Sequence, residues 1–290
     1  MKVLLSSNPY RDKGLRAAME AQRILNKAGA ETVLCLPFLP KKGDRVDYPR
    51  HIKLGRLEEE LPRADVLVCF GGDGTILHAA GDAAKYDVPV MGINMGSVGF
   101  MAELERGELS LLTKLADGDY RIEERMMLQV RLLRGDRVLM EELALNDAVI
   151  SKGAVARVAE FEIRANDTPI ASMTGDGVIV CSPTGSTAYS MSAGGPIVEP
   201  TSKEIIITPV CAHQLAARAM VLGSDRVVTV QLPKGSRKML NLAVDGGKVI
   251  RLSGLERVEI RRAEKTTKLI RLTDRNFYQI INQKLGGSRV

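Results

Sequence analysis

The sequence contains few of the residues on which several common kinds of site depend. Tryptophan is absent and aromatic residues make up 4% of the 290 positions, which argues against a nucleic-acid-binding module, where aromatics alternate with basic side chains. Only three histidines occur, and the four cysteines have neither metal-ligand nor disulfide spacing. Because Cys35, Cys69, Cys181 and Cys211 each lie in or beside an apolar stretch, we predict buried, reduced thiols in a cytoplasmic protein. No metal-ligating side chain is predicted.

Long apolar runs are also absent. None reaches the roughly 18 residues that a membrane-spanning helix requires, so no membrane partner is expected. The short apolar run at residues 2–6 stops before Pro9, which is typical of a first strand rather than of a signal peptide. The composition, with 45% hydrophobic and 26% charged residues, is that of an ordinary globular protein, long enough for two domains. The formal charge of +6 fits a protein that handles polyanions such as nucleotides, and equally a merely basic surface.

The most informative stretch is an apolar run at 64–70 that leads into Gly-Gly-Asp-Gly-Thr at 71–75. Such a run is typical of a buried strand in a parallel sheet, and Thr75 is expected to cap the helix that follows. The glycines would permit positive φ angles and close approach of a ligand to the main chain. Asp73 would stand at the carboxyl end of a strand, beside helix-opening amides that favour phosphate. It is a candidate general base for a hydroxyl that attacks phosphorus, or a residue that only shapes the turn.

This glycine-rich turn matches neither of the two common nucleotide-binding fingerprints. No lysine follows the glycines as in G-x-x-x-x-G-K-[ST], and the spacing differs from the G-x-G-x-x-G of dinucleotide-dependent dehydrogenases. Hydride-transfer chemistry is therefore not indicated.

Strands and helices alternate through residues 1–119, which predicts a doubly wound α/β domain. A second glycine-rich turn at 96–100 follows the strand expected at 88–94. From residue 120 to 272 the pattern predicts a β-rich domain with strands at 127–133, 138–150, 158–165, 177–181, 205–208, 227–232, 240–244, 248–253, 257–261 and 268–272. In the last segment, 273–290, Asp274 is expected to cap a helix at 277–285 whose apolar face must pack on the body of the protein.

A second polar segment interrupts the β-rich part between Asp176 and Pro196. Its hydroxyl groups suit hydrogen bonds to a sugar or phosphates, and Tyr189 offers a flat ring and a phenol hydroxyl. An ordinary capped helix would have the same composition. The pair Asn146-Asp147 leaves an apolar run in a similar way, although such a pair is usually a turn.

These pieces, in this order, resemble the bacterial NAD kinase family, also called ATP/polyphosphate-NAD kinases, over nearly the whole chain. The resemblance is carried by 71–75, 92–94 with 99–100, 145–147, 176–196, Thr208-Pro209, His213, Arg218 and Asp245-Gly246. It implies an N-terminal doubly wound α/β domain, a β-sandwich-like C-terminal domain and a C-terminal helix that returns to the first domain. It also implies a homo-oligomer, either a dimer or a tetramer.

The resemblance further implies a reaction. The γ-phosphate of ATP would pass to the 2′-hydroxyl of the adenosine ribose of NAD, giving NADP, with Asp73 as general base and Mg²⁺ on the donor oxygens. His78 and Arg157 equally fit ordinary surface residues. The ligand-contacting positions implied are Gly72, Asp73, Gly74, His78, Phe100, Asn146, Asp147, Arg157, Asp176, Thr184, Thr187, Ala188, Tyr189, Ser190, Met191, Ser192, Asp245 and Gly246.

The sequence departs from the family pattern in two places. Around His213 it reads Cys211-Ala212-His213-Gln214, and Ala219 follows Arg218 in place of the usual proline, which affects loop rigidity or a subunit contact rather than the base. Residues 172–175 lack the arginine found in relatives restricted to ATP. The hypothesis that follows is that inorganic polyphosphate also serves as a donor.

Two other functions remain as alternatives. A lipid kinase of the diacylglycerol or sphingoid type shares the Gly-Gly-Asp-Gly-Thr turn, but not the Thr-Gly-Ser-Thr-Ala-Tyr sequence at 184–189. The chain also shows no amphipathic membrane-binding helix rich in exposed aromatics. A non-catalytic sensor of NAD or NADP would tolerate loss of the acid, whereas Asp73 is present with all its glycine neighbours.

Overall fold

The computed structural model describes residues 1–38, 46, 48–49, 52–96, 99–153, 157–214, 217–236 and 238–285. The chain divides into two compact units: the first comprises Met1–Glu124 and the chain from Thr267 onward, and the second comprises Arg125–Thr266. The first unit is mixed α/β with a C-terminal helix, and the second is largely β. The predicted fold class, α/β followed by all-β, is therefore confirmed.

Strands and helices are numbered here in chain order. The strands are β1 (Lys2–Ser7), β2 (Glu31–Cys35), β3 (Val66–Gly71), β4 (Val90–Asn94), β5 (Leu104–Glu105), β6 (Arg121–Arg134), β7 (Arg137–Ala144), β8 (Asp147–Lys152), β9 (Ala159–Ala165), β10 (Thr168–Gly175), β11 (Gly177–Cys181), β12 (Glu204–Val210), β13 (Met220–Gly223), β14 (Val228–Gln231), β15 (Leu240–Val244), β16 (Ile250–Leu252) and β17 (Glu256–Arg271). The α-helices are α1 (Arg16–Lys27), α2 (Leu57–Glu60), α3 (Asp73–Ala84), α4 (Leu112–Asp117), α5 (Tyr189–Ser192) and α6 (Phe277–Leu285). Short 3₁₀ helices lie at Lys13–Leu15, Leu61–Arg63, Arg106–Leu111 and Thr184–Thr187. None of the helices in the described part of the chain is both long and apolar enough to cross a membrane.

The first unit is built around a parallel sheet in the order β2-β1-β3-β4. The end of β17 joins the sheet beside β4, where Leu269 pairs with Val90. All six residues of β3 are buried, as expected for an apolar run in a central strand. Only Gly72 separates the end of β3 from the start of α3, so the glycine-rich turn lies at the carboxyl edge of the sheet.

Helix α1 shows how the sequence packs a helix on this sheet. Its buried residues Ala17, Ala18, Ala21 and Leu25 recur at helical spacing and form one apolar stripe. The buried carboxylate of Asp12 accepts hydrogen bonds from the backbone N–H groups of Ala17 and Ala18 at 3.0 Å each. Because the first turn of a helix has free N–H donors, this contact fixes both the helix start and the turn that precedes it.

The second unit contains two antiparallel arrays of strands around one core. One array has the order β10-β9-β14-β17 with β6 and β7 alongside, and the other has the order β13-β12-β11-β8-β15-β16. Both contribute apolar side chains to the same buried cluster, for example Phe161 from β9 and Ile207 from β12. The unit is thus sandwich-like, with alternate residues of each strand facing the core.

Several predicted strand boundaries are wrong. The run 138–150 forms two strands, β7 and β8, because the chain turns at Leu145-Asn146. The runs 257–261 and 268–272 are joined in one strand, β17, which ends at Arg271. Within it Ala263 and Thr267 stay buried, while the charged Glu264 and Lys265 between them are exposed. Strands β10 and β13 were not predicted: β10 has no clear apolar run, and β13 is only four residues long with none of them buried.

Two predicted helix caps are also wrong. Gly72 is the N-cap of α3, and Thr75 lies inside the first turn, where its hydroxyl accepts a hydrogen bond from Asn8 Nδ2 at 3.1 Å. At α6 the cap is Asn276 rather than Asp274. Its side chain accepts the Gln279 N–H at 3.0 Å, and the Gln279 side chain accepts the Asn276 N–H at 3.1 Å.

The cysteine prediction holds for three of the four thiols. Burial raises the pKa of Cys35, Cys69 and Cys181 to about 12, so these thiols stay protonated and unreactive at neutral pH. Cys211 is exposed, because it lies in the turn after β12 instead of in the strand.

Candidate active site

The carboxylate of Asp73 is held in one position by the main chain of a neighbouring loop. Asp73 is the first residue of α3, where the helix dipole favours a negative charge. The Phe100 N–H donates to its Oδ2 at 2.9 Å, and the Met101 N–H donates to its Oδ1 at 3.1 Å. A Cβ atom on Gly99 would overlap Oδ1, so only glycine permits this arrangement. The two glycine-rich turns predicted from sequence therefore meet at one carboxylate.

The three glycines before and after Asp73 have different roles. None of them has a positive φ angle, so the expectation that they provide one is wrong. A Cβ atom on Gly71 would lie 2.5 Å from Thr75 Cβ, so close packing excludes a side chain there. A Cβ atom on Gly72 or Gly74 would meet nothing within 4 Å apart from its chain neighbours and the backbone of its own helix. The fold does not require glycine at these two positions, whereas a ligand that approaches the main chain closely would.

Gly72 and Gly74 line a cleft of about 650 Å³ within the first unit. Exposed His78, one turn further along α3, and Arg11 belong to the same lining, so two side chains that can carry positive charge border the glycines. The loop that carries Arg11 is fixed on one side by Asp12 and on the other by the bond from Asn8 to Thr75. Backbone amides at a helix start with cationic side chains nearby suit phosphate groups.

A lysine from the C-terminal helix completes the surroundings of Asp73. Lys284 Nζ lies 3.9 Å from Asp73 Oδ2 and 4.1 Å from the centroid of the Phe100 ring. Sequence reasoning missed both Lys284 and Arg11, because each is a single basic residue in a basic chain. Only the fold brings them to the glycine-rich turn.

In the second unit, Asp245 organises the turn that carries Asn146 and Asp147. Its carboxylate accepts the backbone N–H groups of Leu145, Asn146 and Asp147 at 2.7, 2.8 and 2.9 Å. The Asp245 N–H in turn donates to the Asp147 carbonyl oxygen at 2.9 Å. Asp245 therefore acts as a positioning residue for this turn, while exposed Gly246 (φ +67°) forms the hairpin bend beside it.

Asp147 is a buried acid, only 5% exposed. Burial, followed by the negative charge of Asp245, raises the pKa of Asp147 to about 7. Among the described residues, none donates a hydrogen bond to its carboxyl group. A buried carboxyl that retains its proton near neutral pH can donate a hydrogen bond to a polar ligand.

The raised pKa gives a testable pH dependence of stability. Between its ordinary value and about 7, the folded state holds the Asp147 proton more tightly than the unfolded state, so the free energy of unfolding falls as pH rises through this window. Asp147→Asn removes this titration. We expect the variant to lose less stability than the wild type between pH 5 and 8, by at least about 1.4 kcal/mol, the equivalent of one pKa unit.

Urea unfolding of the ligand-free proteins at both pH values measures the difference. Asp136→Asn, a change at an exposed acid in the turn between β6 and β7, is the matched control and should follow the wild type. Parallel pH profiles for wild type and Asp147→Asn would contradict the raised pKa.

The hydroxyl-rich segment after β11 divides into internal and accessible side chains. Thr184, Ser186 and Ser190 are buried. Thr184 Oγ1 accepts from Arg125 Nη1 at 3.3 Å, and Ser190 Oγ shares a hydrogen bond of 2.7 Å with Thr208 Oγ1. These groups hold the segment together. The side chains left accessible to a ligand are Thr187, Ala188, Tyr189, Met191 and Ser192.

The remaining predicted residues of the second unit differ in their surroundings. Asp176 forms an ion pair with Lys152 at 2.6 Å, with both side chains partly shielded from solvent. Arg157 is exposed. A Cβ atom on Gly185 would overlap the Asn146 carbonyl oxygen, so this glycine is what allows the hydroxyl-rich segment to pack against the Asn146-Asp147 turn.

Comparisons with known proteins identify the family that the chain resembles. Residues 3–120 match the family model described as the ATP-NAD kinase N-terminal domain, and residues 145–272 match that of the ATP-NAD kinase C-terminal domain. The NAD kinase of Ruminiclostridium cellulolyticum is 34% identical over 285 residues, which cover 98% of this chain and 97% of the relative. The NAD kinase of Natranaerobius thermophilus is 42% identical over 227 residues, 78% of this chain and 79% of the relative.

Two solved structures share the fold. Yeast NADH kinase complexed with NADH aligns with a TM-score of 0.81 at 24% identity, covering 100% of this chain and 89% of that one. An NAD kinase from Archaeoglobus fulgidus in complex with ATP aligns with a TM-score of 0.74 at 22% identity, covering 100% of both chains. The chain belongs to the NAD kinase family. The function that this membership establishes is that of an NAD kinase, an enzyme acting on NAD and ATP.

Proposed function

We propose that Asp73 is the general base of this NAD kinase and takes the proton from the 2′-hydroxyl of the adenosine ribose of NAD. The oxygen then attacks the γ-phosphorus of ATP, ADP leaves, and the product is NADP. The observation that carries the proposal is the fixed carboxylate of Asp73 beside two glycines that have open space above them. Phosphoryl transfer depends mainly on the positioning of the reacting groups, and a base that is already oriented provides this for the attacking hydroxyl.

The cleft beside the turn is the proposed site of the donor phosphates. Gly72 and Gly74 present bare main chain, the start of α3 presents amide donors, and Arg11 and His78 can contribute positive charge. In-line transfer needs the charge on the phosphate oxygens to be balanced. Glycines with no steric need in the fold, beside cationic side chains, support this assignment.

We assign Mg²⁺ to the donor rather than to a protein site of its own. In the described part of the chain, no group of three or more His, Cys, Asp and Glu side chains could hold a metal ion. A divalent ion can instead be bound mainly by phosphate oxygens of the donor and by water. It would supply charge neutralisation on the β- and γ-phosphates.

NAD recognition is assigned to the second unit. Asp147 can donate a hydrogen bond, Asn146 offers an amide, and the accessible Tyr189 offers a ring face and a hydroxyl. Thr187, Ala188, Met191 and Ser192 line the same segment. The ligand-facing groups are held in place by Asp245, Thr184 and Ser190, whose side chains form hydrogen bonds within the protein.

Inorganic polyphosphate is proposed as a second donor. The proposed donor cleft offers the main chain at Gly72 and Gly74 with Arg11 and His78, which suit phosphate oxygens, and its lining also includes Pro37, Phe38 and Asp82. Residues 172–175 also carry no arginine. We expect NADP to form from NAD and polyphosphate without ATP, and formation to stop in excess EDTA with either donor. If NADP formed with ATP but not with polyphosphate, the second donor would be refuted, and full activity in EDTA would refute the metal requirement.

We also propose that the enzyme is cytoplasmic and assembles as a homo-oligomer. Three buried thiols that stay protonated suit a reducing compartment. Family membership supports a dimer or tetramer. Sedimentation or light scattering of the purified chain tests the assembly, and a monomer at micromolar concentration would contradict it.

A further inference from the structure

We propose that Lys284, on the C-terminal helix α6, is a positioning residue of the phosphoryl-transfer centre. Its ammonium group keeps the Asp73 carboxylate and the Phe100 ring in the arrangement in which Asp73 acts. The inference rests on the proposed role of Asp73 and goes beyond it, since it gives the C-terminal helix a part in the reaction.

Lys284 contacts two residues, Asp73 and Phe100, that are also hydrogen-bonded to each other. Nζ lies 3.9 Å from Asp73 Oδ2 and 4.1 Å from the centroid of the Phe100 ring. The same Oδ2 accepts the Phe100 N–H at 2.9 Å. One cation therefore touches both residues that this hydrogen bond joins. The Lys284 side chain is 28% exposed and that of Asp73 is 35% exposed, so water screens the attraction only in part.

Helix α6 presents Lys284 from a defined direction. The reciprocal hydrogen bonds between Asn276 and Gln279 fix the start of the helix. Ile280, one turn before Lys284, is 7% exposed. Because residues four apart lie on one face of a helix, the face that buries Ile280 is also the face that carries Lys284.

The segment that precedes α6 is anchored to the loop that holds Asp73. The buried Glu103 carboxylate accepts the backbone N–H groups of Leu272 at 2.8 Å and of Thr273 at 2.7 Å. Glu103 lies two residues after Met101, whose N–H binds the other oxygen of Asp73. The loop at 100–103 thus binds Asp73 with its amides and the root of α6 with its acid. The same short loop therefore positions both Asp73 and the helix that carries Lys284.

The ammonium contributes little to holding the helix in place. At 3.9 Å from Oδ2 it is beyond hydrogen-bond distance, and partly exposed ion pairs of this kind add little stability. Ile280, the cap and the Glu103 anchor hold α6 without it. A charge beside the base can instead limit the orientations of the carboxylate, since rotation away from Phe100 would separate it from the cation.

The first test removes the charge and keeps the stem. In Lys284→Met we expect kcat to fall about tenfold with an unchanged melting temperature, because a small misplacement of a reacting group is costly. Lys284→Arg should recover most of kcat. Lys114→Met is the matched control. Lys114, on α4, also has its Nζ 3.9 Å from a carboxylate, that of Asp119. This variant should keep the wild-type rate.

The second test asks whether Lys284 acts through Asp73. In the Asp73→Asn background, Lys284→Met should leave the residual rate nearly unchanged, because the group it positions is no longer a base. An unchanged kcat in the single Lys284→Met variant would overturn the inference, and so would an equal fold-loss in both backgrounds. Failure of the proposed base is seen separately, as undiminished kcat in Asp73→Asn alone.

Discussion

Replacing Asp73 by asparagine should lower kcat by about 10²–10⁴-fold, the usual contribution of a positioned general base. An amide has nearly the same shape as a carboxylate, but it cannot take the proton from the ribose hydroxyl. It can still accept one of the two loop N–H groups, those of Phe100 and Met101, so the loop should stay close to its place. NAD binding, measured by calorimetry, should change little.

The control for this variant is Asp87→Asn. Asp87 follows the same helix α3, pairs with Lys268 and is 73% exposed, and its left-handed backbone (φ +61°) suits asparagine. We expect wild-type kinetics for it. If Asp73→Asn kept its kcat while binding NAD normally, Asp73 would not be the base and another acceptor for the proton would be needed.

Replacing Glu103 by glutamine should destabilise the first unit strongly, by about 3–5 kcal/mol, the usual cost of breaking a buried ion pair from one side. Glu103 is 2% exposed in its side chain, and Arg271, its partner at 3.2 Å, is 9% exposed. Its other oxygen accepts from the N–H groups of Leu272 and Thr273 and from the Thr273 hydroxyl. In the variant, an NH₂ group must face either the guanidinium or these three donors.

Glu123→Gln is the matched comparison, because Glu123 pairs with the same arginine at 2.8 Å but is 30% exposed. Its loss should be much smaller, about 1 kcal/mol or less. Urea unfolding followed by circular dichroism measures both. Equal losses in the two variants would show that burial of the Glu103 contacts does not carry the stability of this region.

Local patterns in the sequence were sufficient for the glycine-rich turn and its surroundings. The apolar run of strand length and the glycine-rich turn depend on neighbours in the chain, and both lie where predicted, at the end of β3, although α3 already begins at Asp73. The identity of the cap was not predictable in this way. Thr75 has a good capping side chain, but its hydroxyl binds Asn8, which is distant in sequence.

The roles of individual glycines and acids required the fold. Gly71, Gly72 and Gly99 look alike in the sequence, yet the first avoids Thr75, the second borders open space and the third makes room for the Asp73 carboxylate. The family resemblance predicts a ligand contact for Asp245, and the fold adds what the sequence does not show, that its carboxylate binds three backbone amides of the Asn146-Asp147 turn. Such roles depend on contacts between residues far apart in the chain.

The most direct test of the account is the product of one incubation of purified protein with NAD, ATP and Mg²⁺. We expect ADP and NADP in equal amounts, with the NADP detected by an NADP-specific dehydrogenase, and no transfer when the acceptor is an NAD analogue that lacks the adenosine 2′-hydroxyl. Formation of ADP without NADP, or a phosphorylated product from the 2′-deoxy analogue, would contradict phosphoryl transfer to that hydroxyl.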